Sequence, residues 1–164
     1  MTAVEQQEQK NFISLCTKLN RMFQVKKPKY EDLKDTLKLL LVFREEFADI
    51  YPEADITRVA IAIQKHFDDG FICNAYQDGM VIGSIAAFES EWWFSDEKFL
   101  AETWFYILPK YRNFKTARAL LKKLKEYAKT RELTIQLPIS SGNDTPALYK
   151  RLGFKDMGNI WRYK

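Results

Sequence analysis

The chain has 164 residues, of which 46% are hydrophobic, 29% charged and 15% aromatic, and its formal net charge is +4. This length fits one domain of ordinary size, and the hydrophobic content excludes a globally disordered chain. The mild positive charge suits a protein that binds one anionic ligand, but it equally suits a nucleic-acid binder or a simple lysine-rich surface.

The few potential metal ligands and nucleophiles exclude several kinds of site. The two cysteines, Cys16 and Cys73, have no CxxC spacing, and His66 is the single histidine. A structural zinc site needs about four such ligands, so we expect no metal. We interpret the cysteines as reduced, and His66 as a surface or structural residue, which makes a Ser-His-Asp hydrolase improbable.

The N-terminus indicates a cytoplasmic protein that does not associate with a membrane. Residues 1–12 are polar and lack the apolar core of a signal peptide, and the longest apolar run, LKLLLVF, is too short to span a bilayer. We divide the chain into a helical extension at residues 1–20 and one domain at residues 21–164.

The domain is predicted to begin with a strand and two helices. Weak alternation indicates a strand at Arg21–Lys27, which Pro28 ends. Apolar residues three and four apart predict a helix within Lys29–Tyr51. A second helix is expected between a cap at Asp55 and a stop at Gly70.

Three strands and a long helix follow. The runs Phe71–Tyr76 and Met80–Phe88 flank Asp78-Gly79, which is a strong hairpin signal. We predict that the acidic, aromatic segment SEWWFSDEKF is a loop leading to a strand at Leu100–Leu108. Helical spacing of apolar residues returns at Asn113–Thr130.

The C-terminal part is predicted to add a strand, a short helix and two final strands. The first strand is Leu133–Ile139, the helix ends at Gly153, and the last strands are Phe154–Met157 and Ile160–Tyr163. The resulting order, β-α-α-β-β-β-α-β-α-β-β, indicates one mixed α/β domain with a central sheet and helices on both faces.

The segment LPKYRNFKTARALL joins a buried-type strand to a basic helix. The first turn of a helix presents unpaired N–H groups and a partial positive charge, so it can bind a phosphate. Arg112, Lys115 and Arg118 add charge there. For the lysines from Lys122 to Lys129 we prefer a solvated helix face, whereas the position of Arg112 to Ala117 favours an anion site.

The segment NDTPALYKRLGF forms the second candidate site. It spans Asn143 to Phe154 and contains Tyr149 on a short helix that Gly153 ends. A half-buried packing tyrosine is the commoner role for such a residue, and a proton donor is the functional alternative.

Together these two segments resemble the GNAT family of acyl-CoA-dependent N-acyltransferases. The family's central motif, P-x-Y-R-G-x-G-x-G/A followed by a helix with LL, stands here as LPKYRNFKTARALL, and NDTPALYKRLGF matches its later motif. The resemblance spans residues 21–164. Arg112 and Ala117 fit the motif, whereas Lys115 replaces its central glycine, which would let backbone approach a pyrophosphate closely. Asn113 tolerates a left-handed turn.

The resemblance implies that acetyl-CoA is the cofactor and that it lies between the strands at Leu100–Leu108 and Leu133–Ile139. Backbone groups of Ile107 and Leu108 would pair with the pantetheine arm, and Asn143 would contact the cofactor from the opposite side. The pyrophosphate would be bound by the amides of Arg112, Asn113, Phe114, Lys115, Thr116 and Ala117.

The resemblance also implies direct attack by an acceptor amine, with Tyr149 as the general acid. A protonated amine needs a base, and Glu102 is our first candidate. Because Glu102 alternates with Thr103, we predict that it shares a face with Trp104 and Tyr106, where desolvation would raise its pKa. An edge or surface charge is an almost equal alternative for Glu102.

Further acidic and aromatic residues precede this strand. Glu89 and Glu91 are second choices for the base. Trp92, Trp93 and Phe94 are expected to flank the acceptor cleft, where one or two would line it, although a loop anchor or a dimer contact is about as good an interpretation.

Three hypotheses therefore stand. The first is an N-acetyltransferase that acts on a primary amine of a small molecule or a protein. The second is a GNAT-fold binding or regulatory module with weakened cofactor binding, which Lys115 supports. The third is an acyltransferase that acts on nucleic acid, which only the basic helix suggests. A homodimer stays open.

Overall fold

The computed structural model describes residues 4–7, 23–138 and 145–158. Residues 4–7 form a single helical turn. The predicted strand Ile160–Tyr163 and the predicted cofactor contact Asn143 lie outside the described residues. The division of the chain into residues 1–20 and 21–164 stays a prediction.

The described part contains five strands and four α-helices. The strands are β1 (Gln24–Lys26), β2 (Phe71–Gln77), β3 (Met80–Trp92), β4 (Ser95–Ile107) and β5 (Thr134–Gln136). The α-helices are α1 (Leu33–Glu46), α2 (Ile56–Asp68), α3 (Phe114–Thr130) and α4 (Thr145–Arg151), and short 3-10 helices lie at Tyr30–Asp32 and Pro109–Tyr111. The predicted α/β class is confirmed, and so is the predicted element order from β1 to α4.

The strands form one mixed sheet in the order β1-β2-β3-β4-β5. Neighbouring strands are antiparallel except β4 and β5, which are parallel. The turn between β2 and β3 has positive φ at both Asp78 (52°) and Gly79 (80°). This backbone is that of a type I′ hairpin turn, which explains why the Asp-Gly pair predicted the hairpin correctly.

Helices cover both faces of the sheet. Helices α1 and α2 pack on one face through buried residues such as Leu40 and Ile63, whereas α3 packs on the other through Leu120 and Leu124. Asp55 caps α2 as predicted, because its side chain accepts hydrogen bonds from the amides of the first turn. None of the helices in the described ranges has the length and apolarity needed to cross a bilayer.

The segment predicted to be an aromatic loop is instead a hairpin arm, so that prediction was wrong. β3 continues to Trp92 and β4 starts at Ser95, with these two residues paired across the turn. Trp92 stacks near Phe99, with ring centroids 4.9 Å apart. Cross-strand aromatic packing of this kind stabilises paired strands, so acidic residues on the solvent side do not prevent the pairing.

The predicted strand at Phe154–Met157 is also absent, since residues 154–158 have no regular secondary structure. Gly153 has a φ of 83°, and the Phe154 amide donates to the Tyr149 carbonyl at 3.0 Å. This is a glycine-terminated helix end, which confirms the predicted stop of α4 at Gly153. The chain after Phe154 is exposed, so its short alternating pattern does not form a strand.

Candidate active site

One edge of β4 is open next to the end of β5. β5 pairs with β4 only over Phe99–Ala101. From Glu102 to Ile107, no strand in the described part of the chain pairs with β4 on that edge, although β3 continues along its other edge. The structure therefore has the opening between these two strands that the sequence predicted.

A β-bulge lies where the two strands separate. Trp104 stands opposite Ala86, but Glu102 stands opposite Ala87, so Thr103 is the extra residue in β4. The bulge resets the alternation of side chains. Glu102 therefore lies on the α3 face with Ala87, whereas Trp104 lies on the face of α1 and α2. The prediction that Glu102 shares a face with Trp104 and Tyr106 was wrong.

Glu102 is half-buried, and one of its carboxyl oxygens is fully shielded from solvent. Its Oε2 atom has no partner within the described residues. Burial raises the pKa of Glu102 to about 8, because the charged form loses its hydration. The group is thus an acid that changes its protonation state close to neutral pH, as an acid–base catalyst requires.

Tyr149 belongs to the apolar cluster on the α3 face, near enough to Glu102 for the carboxylate charge to act on its phenol. It is 7% exposed and packs with the Phe154 ring, at a centroid distance of 5.7 Å. Burial raises the pKa of the Tyr149 phenol, and the negative charge of Glu102 raises it further. The structure therefore brings together the two residues that the sequence nominated as base and acid.

A cavity of about 380 Å³ opens along this edge of β4. It reaches both faces of the sheet, since Phe43 and Phe47 of α1 line one side and Leu148 and Tyr149 of α4 line the other. The remaining walls come from β4 and from the start of α3, namely Phe105, Tyr106, Ile107, Arg112, Asn113, Phe114 and Ala117. Two molecules that approach from opposite faces would meet at this edge.

The first turn of α3 contributes a narrower set of donors than predicted. The Asn113 side chain accepts from the Thr116 amide at 2.9 Å, and the Ala117 amide donates to the Asn113 carbonyl. The Arg112 amide donates to the Pro109 carbonyl. Within the described residues, the amides of Asn113, Phe114 and Lys115 remain as unpaired donors at the helix start. Asn113 has an extended backbone with φ −150°, so no left-handed turn is used.

The Lys115 side chain is directed away from the cavity. Its ammonium nitrogen lies 5.3 Å from the centre of the Phe23 ring, and Lys115 is not among the residues that line the cavity. A lysine at the motif's glycine position therefore adds no bulk to the cavity wall.

Arg112 is occupied by a carboxylate that the sequence did not reveal. Its guanidinium donates to both oxygens of Glu46, at 2.6 and 2.5 Å, and its Nε donates to the Ile107 carbonyl at 2.8 Å. The Tyr106 hydroxyl also donates to Glu46. The hydrogen bonds from Arg112 and Tyr106 hold the pKa of Glu46 below its ordinary value. Arg112 thus connects α1 to the end of β4, and its charge is already paired.

Of the two predicted pantetheine contacts at the end of β4, Ile107 has a backbone group available and Leu108 does not. The Leu108 amide donates to Ile82 on β3 at 2.9 Å, and its carbonyl accepts from Tyr111 at 2.8 Å, so both groups are engaged within the protein. Because backbone groups alternate in direction along a strand, Phe105 and Ile107 direct theirs toward the open edge. These two residues offer the contacts, except that Arg112 occupies the Ile107 carbonyl.

Of the predicted acid and base, Tyr149 lines the cavity and Glu102 does not. The second-choice bases and the aromatic triplet do not line it either. Glu89 forms an ion pair with Arg131 at 2.7 Å, and Glu91 stands opposite Lys98 on the arm. Trp93 and Phe94 form the arm's turn, at the opposite end of β4 from the cavity, and Trp93 is 94% exposed. The structure therefore does not support an acceptor-cleft role for Trp92, Trp93 and Phe94. In the described residues, no cluster of three or more acidic, histidine or cysteine side chains is arranged to hold a metal ion.

Comparison with known proteins identifies the family. The model of the acetyltransferase (GNAT) family matches residues 38–154, so this chain belongs to that family. No curated protein matches the chain.

Solved structures with the same fold include several acetyltransferases. A predicted acetyltransferase of Clostridium acetobutylicum, solved with acetyl-CoA, is 18% identical with a TM-score of 0.70, over 87% of this chain and 96% of its own. The aminoglycoside antibiotic 6'-N-acetyltransferase of Acinetobacter baumannii is 16% identical with a TM-score of 0.68, over 87% and 97%. A Trypanosoma brucei acetyltransferase is 18% identical with a TM-score of 0.66, over 87% and 99%. At these identities, the similarity establishes the fold alone.

Proposed function

We propose that the protein is an acetyl-CoA-dependent N-acetyltransferase that modifies a primary amine of a small molecule or a protein. The observation that carries the proposal is that Glu102 and Tyr149 lie on the same side of the sheet beside the open edge of β4, where the charge of Glu102 acts on the Tyr149 phenol. Membership of the acetyltransferase family supports the reaction class.

The residues around the cavity fit acetyl-CoA. The outward backbone groups of Phe105 and the Ile107 amide would bind the pantetheine arm, and the amides of Phe114 and Lys115 would bind the pyrophosphate at the positive end of α3. When bound, acetyl-CoA supplies an acetyl group activated as a thioester. Asn143 stays a predicted contact.

The site has a residue for each of two protons that must move during the transfer. The Glu102 carboxylate would accept one proton from the acceptor ammonium group, directly or through a water molecule, and the further proton lost as the amide forms would leave to solvent. The Tyr149 phenol would donate its proton to the departing sulfur, since its raised pKa keeps it protonated until then. Passage of one proton from Glu102 to Tyr149 would then restore both groups.

The acceptor would approach from the α1 side of β4. Phe43 and Phe47 form an apolar wall there, whereas the α3 side holds the proposed cofactor contacts. This division allows the amine nitrogen to reach the edge of β4 without displacing the cofactor.

Calorimetric titration with acetyl-CoA is the first test, and we expect saturable binding with one site per chain. A panel of small amines, a peptide pool and nucleic acid should then be screened by detecting released thiol.

Phe114→Pro, which removes one free amide while retaining a residue that suits a first helical turn, should weaken acetyl-CoA binding. Absence of binding at high cofactor concentration would overturn the proposal and favour a binding module. Lys115 was the reason to consider a binding module with weakened cofactor binding. This reason is weaker now, because the Lys115 side chain does not enter the cavity.

A further inference from the structure

His66 contacts the bulge of β4 from the layer of α1 and α2, on the face of the sheet opposite to Glu102. It lies near the end of α2, is 2% exposed, and its Nε2 atom is 2.8 Å from the Thr103 hydroxyl. Thr103 is the extra residue of the bulge and is exposed at the open edge. The hydrogen bond therefore joins a buried side chain to the point where β4 departs from β5.

The hydrogen-bonding partners of His66 determine its tautomer. Its Nδ1 atom lies 2.7 Å from the Ala62 carbonyl, which can only accept, so Nδ1 carries the proton. In the neutral ring, Nε2 must then accept, and the Thr103 hydroxyl donates to it. Burial lowers the pKa of His66, so the neutral ring prevails at neutral pH.

Aromatic packing holds the His66 ring in this orientation. The ring centroids of Phe88 and Trp104 lie 4.0 and 4.5 Å away. Phe88 is on β3 and Trp104 follows the bulge on β4, so the imidazole is fixed by both strands that form the bulge. It is thus a rigid acceptor for one particular residue of β4.

The position of the bulge determines which face Glu102 occupies. If the extra residue lay before Glu102 in the chain, Glu102 would stand opposite Phe88 and would exchange the α3 face for the face of α1 and α2. A regular strand would in addition keep β4 straight at the point where it now leaves β5. A hydrogen bond that selects Thr103 as the extra residue therefore selects the orientation of Glu102.

We propose that His66 is a positioning residue: through Thr103 it fixes the bulge of β4 and thereby holds Glu102 beside Tyr149. The catalytic consequence of this role rests on the proposed acetyltransferase function. The structural consequence does not, because it concerns only the burial of Glu102.

The first experiment measures turnover and cofactor affinity in variants of the hydrogen bond. Thr103→Val and His66→Phe each remove it while retaining similar shape, and we expect kcat to fall on the order of 10-fold with little change in the Kd of acetyl-CoA. The double variant should lose no more than the single ones, because both remove one interaction. Thr103→Ser keeps the hydroxyl and should retain most of the activity.

Thr36→Val is the matched control. Thr36 is buried on α1, packs under the same face of the sheet, and accepts a hydrogen bond from Asn74 at 2.7 Å. Its substitution also removes a threonine hydroxyl from this layer but leaves the bulge intact. We expect it to reduce stability without reducing kcat, so that a general loss of packing is distinguished from a loss of positioning.

A second experiment does not depend on activity. Glu102 binds a proton more tightly in the folded protein than in the unfolded chain. Its ionisation should therefore lower the midpoint of urea unfolding as the pH rises from about 6.5 to about 8. Thr103→Val should at least halve this fall by letting water reach Glu102, whereas Thr36→Val should preserve it. Tyr149 is the titratable neighbour of Glu102, and Lys65 is the charged neighbour of His66. Thr103→Val and Thr36→Val leave both neighbours unchanged.

The outcomes separate the two proposals. If the wild type neither binds acetyl-CoA nor acetylates an amine, the proposed function fails, and the urea measurement still tests the bulge. If Thr103→Val matches Thr36→Val in both kcat and pH dependence, the positioning role of His66 is overturned. Should Thr103→Val fold poorly, Thr103→Ala provides the same comparison without a branched side chain.

Discussion

Acidic residues lie in opposite settings at the arm, where β3 carries Glu89 and Glu91, and at the open edge of β4. At the arm, Glu91 stands opposite Lys98 and is exposed, and the neighbouring Glu89 pairs with Arg131. At the open edge, Glu102 is half-buried, and its shielded Oε2 atom has no partner among the described residues. The first setting follows the ordinary rules for surface charge, whereas the second violates the rule that buried polar groups are satisfied.

This difference indicates where chemistry is expected. An unpaired buried carboxyl destabilises the fold, and such groups are concentrated at functional sites. The sequence alone ranked Glu89, Glu91 and Glu102 by position in predicted strands, but burial and pairing separate them physically. Substitutions at the open edge should therefore change turnover and the pH dependence of stability, whereas substitutions at the arm should change neither.

The largest effect is expected for Tyr149→Phe. Loss of the phenol proton should reduce kcat by roughly 10²-fold or more, because general acid catalysis typically contributes that much. The Kd of acetyl-CoA, measured by calorimetry, should stay the same since the ring is retained. Unchanged turnover would show that Tyr149 has only a packing role.

Glu102→Gln should reduce kcat on the order of 10²-fold and change its pH dependence. The wild-type rate should rise through a pKa near 8 as Glu102 ionises, and the variant should lack this rise. A pH–rate profile of both proteins tests the assignment. If the rise persists in the variant, another group is the base.

The same substitution should increase stability at alkaline pH. The folded pKa of Glu102, about 8, lies above its ordinary value, so the contribution of this group to stability is greatest below that ordinary value and is lost as the pH rises through 8. The loss approaches roughly 3 to 5 kcal/mol by this linkage, and Glu102→Gln should recover much of it at about pH 8. Urea unfolding at several pH values measures the difference, and Glu91→Gln at the arm is the control expected to change little.

Glu46→Gln should have a moderate effect at the cavity. It breaks the paired hydrogen bonds to Arg112, so we expect a loss of about 1 kcal/mol and a severalfold higher KM for acetyl-CoA. The lowered pKa of Glu46 means that its stabilisation exists above the ordinary carboxyl pKa and disappears as the pH falls through the folded value. Arg112→Lys keeps the charge but not the paired geometry, so it should raise the KM for acetyl-CoA as much as Glu46→Gln does. An unaltered KM in both variants would separate this ion pair from cofactor binding.

The smallest effect is expected at the arm. Trp93→Ser and Phe94→Ser change exposed residues at the other end of β4, so kcat/KM should stay within about twofold of the wild type. Steady-state kinetics with the acceptor identified in the amine screen provides the measurement. A large loss would place the arm in acceptor binding and remove the contrast between the two ends.

Much of the fold was accessible from local sequence signals. Alternation, helical spacing, the Asp-Gly turn, the Asp55 cap and the Gly153 stop each act over a few neighbouring residues, and each predicted its element. The predictions failed where local pattern does not specify the partner. Residues 89–98 form an arm because aromatic side chains pair across the strands, and residues 154–158 form no strand although they alternate.

The sequence by itself determined the order of the elements, the family and the candidate pair of Glu102 and Tyr149. Only the tertiary structure decided which face Glu102 occupies, because a bulge depends on register with another strand and is held by His66, 37 residues away from Thr103. It alone decided that Arg112 is bound to Glu46, 66 residues earlier. Local propensity acts between near neighbours, whereas burial and pairing arise only when distant segments meet.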